Sequence, residues 1–311
     1  MSEFLIVVQQ MVMFVVYLAV GIIAVKVKLF DQKSLNVLSK LIMKITLPIM
    51  IFMNTLNGAT RQQFMETLPI LVLTAIMYFT LYFLCLLMKK AFKLTGDTGS
   101  VYHACSMFGN IGFMGIPILT ALFPEKGMLY IAMFTVVDQL VLWTVGIQLT
   151  TPEDSKQKMQ LKDTALKMIN PATVGIVLAV LGIFAGVHMP TLIDTSLTKI
   201  GAITTPLAMI YLGGLFCFTD IKYYIKRAEF FATAIVKMVA YPLAFFYVMS
   251  LFSVPDDIKV AMAVLSGLPT MSSIAMFAKS QNSEGEYAVG SIFVTTLLSL
   301  VTLPLVCYVI G

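Results

Sequence analysis

Residues 108–117 read Phe108-Gly109-Asn110-Ile111-Gly112-Phe113-Met114-Gly115-Ile116-Pro117, placing three glycines, an asparagine and a proline inside an otherwise apolar stretch. Gly removes steric restriction on the backbone and Pro removes a hydrogen-bond donor, so a helix running through this stretch is expected to break. A second such stretch, Ser266-Gly267-Leu268-Pro269-Thr270-Met271-Ser272-Ser273, lies 160 residues further on when Asn110 is set against Thr270. Gly112, Gly115, Pro117 and Gly267 are the expected helix-breaking residues. Unwound backbone within a bilayer is tolerated only where protein or a water-filled cavity surrounds it. Two matched breaks create four half-helix ends, whose positive N-terminal ends can hold an anion without any formal charge. The glycine spacing is not that of a nucleotide-binding loop and follows no strand.

The surroundings are those of a membrane protein. Of 311 residues 59% are apolar and 12% charged, about half the charged fraction of a soluble domain. Apolar stretches, each enough to cross about 30 Å of hydrocarbon, lie near residues 5–27, 35–56, 67–91, 99–123, 128–150, 171–188, 198–218, 228–252, 257–280 and 286–310. The expected fold is all-α and polytopic, with ten transmembrane helices and no sizeable extramembrane domain for catalysis or nucleic-acid binding. Residues 1–4 contain no Lys or Arg, so the first stretch is expected to be a mature span and not a cleavable signal. The longest connection, the charged segment 151–170, divides the chain into a first five-helix repeat at 1–150 and a second at 171–311.

Lysine and arginine orient the spans, since cytoplasmic ends retain positive charge. One side collects 14 of these residues and the other 4, which puts both termini on the extracytoplasmic side of the cell's inner membrane. Five spans per half invert the second half relative to the first. Pro48 in Ile45-Thr46-Leu47-Pro48 and Pro206 in Ile203-Thr204-Thr205-Pro206 are 158 residues apart, an offset close to that of the breaks. This is the inverted-repeat layout of many secondary transporters.

Few charges are left inside the membrane. Asp138, in Val136-Val137-Asp138-Gln139, is the one acid in the middle of a span. A carboxylate there costs at least about 2.5–3.5 kcal/mol on insertion scales and needs a proton, a cation, water or a partner, which makes Asp138 the candidate ion-coupling residue for H+ or Na+. Lys237 lies deep in the eighth span and is open to three readings: a substrate contact, a pair with Asp138, or snorkelling. Lys40 and Lys44, one helical turn apart near the end of the second span, are expected to snorkel. His103 and His188 show no metal-ligand spacing and read as hydrogen-bonded structural residues. Cys85, Cys105, Cys217 and Cys307 lie singly in apolar stretches and read as packing residues. No metal site or cofactor is expected beyond the coupling ion.

With these features in place, the chain resembles the auxin efflux carrier family, which includes plant PIN-type auxin carriers and bacterial permeases for malate, malonate and similar acids. Asn110 through Pro117 is similar to that family's Asn-x-x-x-Met-Gly-Ile-Pro stretch. Gln139 and Trp143, Asn170-Pro171, Ala208-Met209 with Leu212-Gly213, Lys237 with Pro242, and Leu268-Pro269 with Phe277-Ala278-Lys279 match in order. The resemblance implies a homodimer with crossing broken helices four and nine. Spans one, two, six and seven would form a scaffold, and spans three to five and eight to ten a domain that moves like an elevator. Substrate would sit near Gly109, Asn110, Gln139, Lys237, Pro269 and Thr270. Gly109 stands where the plant carriers have proline, Asp138 where they have an apolar residue, and the loop between halves is far shorter than theirs.

The expected function is secondary transport of a small organic anion, a mono- or dicarboxylate, coupled through Asp138. A channel, a facilitator without ion coupling or a receptor is the alternative, because broken helices can also line a pore. Zinc-protease, aspartyl-protease and Walker motifs are missing, so no enzyme is expected.

Overall fold

The computed structural model of the chain describes residues 3–58, 65–158, 171–187 and 189–311. Among the described residues, seven helices are long and apolar enough to cross a membrane: Glu3–Lys26, Gln32–Asn57, Pro69–Ala91, Gly127–Thr150, Thr191–Phe216, Ala228–Met249 and Gly285–Ile310. Three further apolar segments occupy the places of spans four, six and nine. Span six is the 15-residue helix Pro171–Ala185. Spans four and nine are broken, as Gly96–Met107 followed by Ile111–Leu122 and as Asp256–Ser266 followed by Ser272–Ser280. The protein is an all-α polytopic membrane protein, and the pairing between the two breaks is an isolated bridge, not a sheet. Most of the linker 151–170, with Asn170, lies outside the described residues, as does His188.

Span two starts at Gln32, three residues before the first apolar run. The Asp31 carboxylate caps it, accepting from the Ser34 backbone N–H at 2.7 Å and the Ser34 hydroxyl at 2.6 Å, so the cap and not hydropathy fixes the start. Span seven likewise begins at Thr191, before the expected position 198, and span six ends at Ala185, before 188.

Three prolines leave the same mark on their spans, whereas Pro304 lies inside the continuous helix Gly285–Ile310. Pro48, Pro117 and Pro242 each follow a π turn, at Ile42–Thr46, Ile111–Gly115 and Val236–Ala240. A proline ring collides with the carbonyl four residues back, and a widened turn carries that carbonyl away. Pro206 avoids the same collision because a turn at Ile203 restarts the helix as Thr204–Phe216.

The closest helix packing joins spans one and seven. A Cβ at Gly21 would fall 2.0 Å from the Ile210 carbonyl oxygen, and one at Gly213 would fall 2.1 Å from that of Leu18. Small residues at such a seam let two backbones touch, the main source of helix association where no water is displaced. Contact between spans two and four is looser: a Cβ at Gly112 would meet only the Leu47 side chain, at 3.4 Å. Gly213→Leu should therefore lower the melting temperature in detergent markedly, an overpacking penalty of about 1–3 kcal/mol or more. Gly112→Ala should shift it little, and differential scanning fluorimetry of both variants checks the contrast.

Candidate functional site

The two breaks meet. Phe108 to Asn110 and Pro269 to Met271 run extended past each other, with Gly109 opposite Thr270 in an antiparallel bridge. The Asn110 N–H donates to the Pro269 carbonyl at 2.8 Å, and the Met271 N–H donates to the Phe108 carbonyl at 3.0 Å. Each broken segment thereby supplies partners for the other's unpaired backbone, which has no water to turn to. Leu268 and Leu265 crowd Gly109, whose missing side chain leaves room for the approach.

Helix direction divides the crossing electrically. Gly96–Met107 and Asp256–Ser266 arrive with their C-terminal, partly negative ends. Ile111–Leu122 and Ser272–Ser280 leave with their N-terminal, partly positive ends. Lys237 serves the first pair. Its ammonium is buried, 1% exposed, and donates to the Leu268 carbonyl beside Gly109. It forms no ion pair with Asp138 and is too deeply enclosed to snorkel; among the described residues the ion pairs are Lys126–Asp257, Arg227–Glu229 and Lys259–Asp256.

The N-terminal ends border a cavity of about 230 Å³. Its wall includes Asn110 and Gly112 from span four, Asp138, Gln139 and Trp143 from span five, Ser272 and Ser273 from span nine, and Lys44 and Leu47 from span two. Asn110 is 2% exposed and its side-chain Nδ2 has no hydrogen-bond acceptor; Ser272 is 7% exposed and its hydroxyl is also without a partner. Unpaired buried donors are costly, and both stand on a cavity wall beside positive helix ends.

Asp138 is fully buried and held from two sides. Tyr78 donates to Oδ1, and the Gln139 amide donates to Oδ2 at 3.0 Å. Trp143 Nε1 in turn donates to Gln139 Oε1 at 3.1 Å, and its ring packs against Phe277 with centroids 5.0 Å apart. The result is a fixed carboxylate on a polar wall with no cationic partner among the described residues.

Of the expected substrate contacts, Asn110 and Gln139 line this cavity, while Gly109, Pro269, Thr270 and Lys237 do not. Thr270 points away: its hydroxyl donates to the Cys105 carbonyl at 2.9 Å and lies 3.1 Å from the Ser291 hydroxyl, and its N–H donates to Thr295 at 3.1 Å. Gly115, Pro117 and Gly267 shape the breaks from outside the cavity. His103 is buried, with Nε2 3.0 Å from the Tyr82 carbonyl. Residue order alone did not single out Ser272 or Tyr78. Ser272 could have been found as the next polar residue after Thr270, at the start of the helix that follows the Pro269 break. Tyr78 is a polar tip within span three. Lys44, expected to snorkel, is exposed and lines the cavity just after the amphipathic turns Gln32–Leu41 of its helix.

A bundle of membrane-crossing helices with two broken segments crossing beside a largely apolar cavity that carries a few polar side chains has the form of a membrane transporter. The family described as membrane transport protein matches residues 6–307, and the chain belongs to this auxin efflux carrier-like transport family. An uncharacterized transporter of Methanocaldococcus jannaschii is 25% identical over 286 residues, covering 89% of this chain and 90% of that protein. An uncharacterized transporter of Escherichia coli K12 is 21% identical over 300 residues, 95% of each chain. A protein of Rhizobium meliloti named "Putative malonate transporter" is 23% identical over 208 residues, 65% of this chain and 64% of that one. These are transporters, not enzymes.

Lys237→Met should cost stability before it costs recognition. Removing the donor leaves the Leu268 carbonyl buried and unpaired, a loss of about 1–3 kcal/mol, read as a lower melting temperature with no acid present.

Proposed function

We propose that the protein is a secondary active transporter that carries a small organic anion by an elevator-type movement. The observation that carries this reading is the pair of unpaired buried donors, Asn110 Nδ2 and Ser272 Oγ, on the wall of one cavity where two half-helices begin. A carboxylate would accept from both and from the free N–H groups of the first helical turns, which every helix leaves without internal partners. The Rhizobium meliloti relative's name points to the same class of cargo.

In this reading spans one, two, six and seven are the scaffold, and spans three to five and eight to ten carry the cargo. The glycine seam between spans one and seven suits a rigid frame, and the side-chain contact between Gly112 and Leu47 suits a surface that slides. The chain works as a homodimer in the cell's inner membrane with both termini extracytoplasmic, the orientation favoured by the lysine and arginine distribution. Asp138 takes up the coupling cation, a proton or a sodium ion. Tyr78 and Gln139 hold its two oxygens in place, and its position on the wall of the anion cavity ties the two loads together.

Reconstituted protein should show saturable uptake and counterflow of a radiolabelled small carboxylate. Asn110→Ala and Ser272→Ala should each weaken it by about tenfold, the loss of one charge-assisted hydrogen bond. Ohmic single-channel currents without counterflow would refute the carrier reading. Asp138→Asn should leave binding of the acid measurable while abolishing acceleration of uptake by a pH or sodium gradient. An unchanged gradient response would remove Asp138 from coupling.

A further inference from the structure

Among the described residues, Lys44 is the one cation on the wall of the cavity. It is exposed and follows the amphipathic turns Gln32–Leu41 at the start of the apolar part of its helix. A lysine ammonium beside a membrane cavity needs water, a partner or cargo. Among the described residues Lys44 has no hydrogen-bond or ion-pair partner. The π turn Ile42–Thr46, just before Pro48, is the piece of backbone that carries it.

We infer that Lys44 binds a second carboxylate of the cargo, which makes the site selective for dicarboxylates over monocarboxylates. The inference rests on the organic-anion reading above and deepens it. One carboxylate occupies the end of the cavity formed by Asn110 Nδ2, Ser272 Oγ and the two helix starts, and the other reaches the Lys44 ammonium on span two. Charge balance supports two acid groups. Each helix N-terminus is worth about half a positive charge, so the two starts and the ammonium together offset about two negative charges. Asp138 with its coupling cation adds none. A monocarboxylate would leave the ammonium without a carboxylate partner.

The position of Lys44 gives the second contact a distinct character. Asn110 and Ser272 belong to the crossing segments, whereas Lys44 belongs to a span that the elevator reading keeps still. Lys44 therefore tests the length and charge of the cargo in the state in which the cavity faces span two, and it releases the second carboxylate when the carrier moves.

Malonate and propionate, acids of three carbons each, separate the charges. Binding of each to purified protein, by thermal shift and by competition against the other, is measured for the wild type, Lys44→Gln, Lys44→Arg and Asn110→Ala. Lys44→Gln should weaken malonate by about tenfold or more and leave propionate within about twofold, with Lys44→Arg restoring most of the preference. Asn110→Ala should weaken both acids. If Lys44→Gln leaves the malonate-to-propionate ratio unchanged while Asn110→Ala weakens both, the anion site stands and the role of Lys44 is overturned. If neither acid binds the wild type, the anion reading falls and this inference falls with it. A Lys44→Gln protein that melts earlier without ligand but keeps the wild-type ratio also overturns it.

Discussion

Two backbone hydrogen bonds, Asn110 N–H to the Pro269 carbonyl and Met271 N–H to the Phe108 carbonyl, hold the centre of this protein together. A helix broken inside a membrane exposes donors and acceptors that lipid cannot satisfy. Here each break supplies what the other lacks. Pro269 contributes a carbonyl and has no N–H to leave unpaired, and Gly109 lets the strands approach. The side chains around the crossing then reinforce it: Thr270 ties it to Cys105, Ser291 and Thr295.

The crossing also sorts charge. Two helices end there and two begin, so negative and positive ends lie close together. Lys237 attends to the carbonyl side, at Leu268. The amino side is left to the cavity, where Asn110 and Ser272 have donors to spare. The buried lysine that looks from the sequence like a substrate ligand thus acts beside the site, and its hydrogen bond to backbone fits a part of the frame.

Much of the fold was legible because it follows from hydropathy and from helix breakers. The ten apolar segments, the two breaks and the mid-membrane Asp138 could all be read from residue type and spacing. The direction of a side chain at a break could not. Asn110 and Thr270 occupy matching positions in the two halves, yet Asn110 faces the cavity and Thr270 faces the packed interior. Direction there depends on the local φ and ψ of an irregular segment, which no periodicity encodes. The place of Lys44 on the cavity wall was hidden for a simpler reason: which face of span two meets spans four and five depends on tertiary packing that hydropathy does not encode.

Backbone makes the crossing and side chains make the cavity, so the two are written in separate parts of the sequence. Breakers and small residues such as Gly109, Gly267 and Pro269 keep the frame. Lys44 and Leu47, on a different helix, border the cavity without joining the crossing. A lineage can therefore change what it carries by drifting in span two while the machinery that moves the cargo is inherited intact.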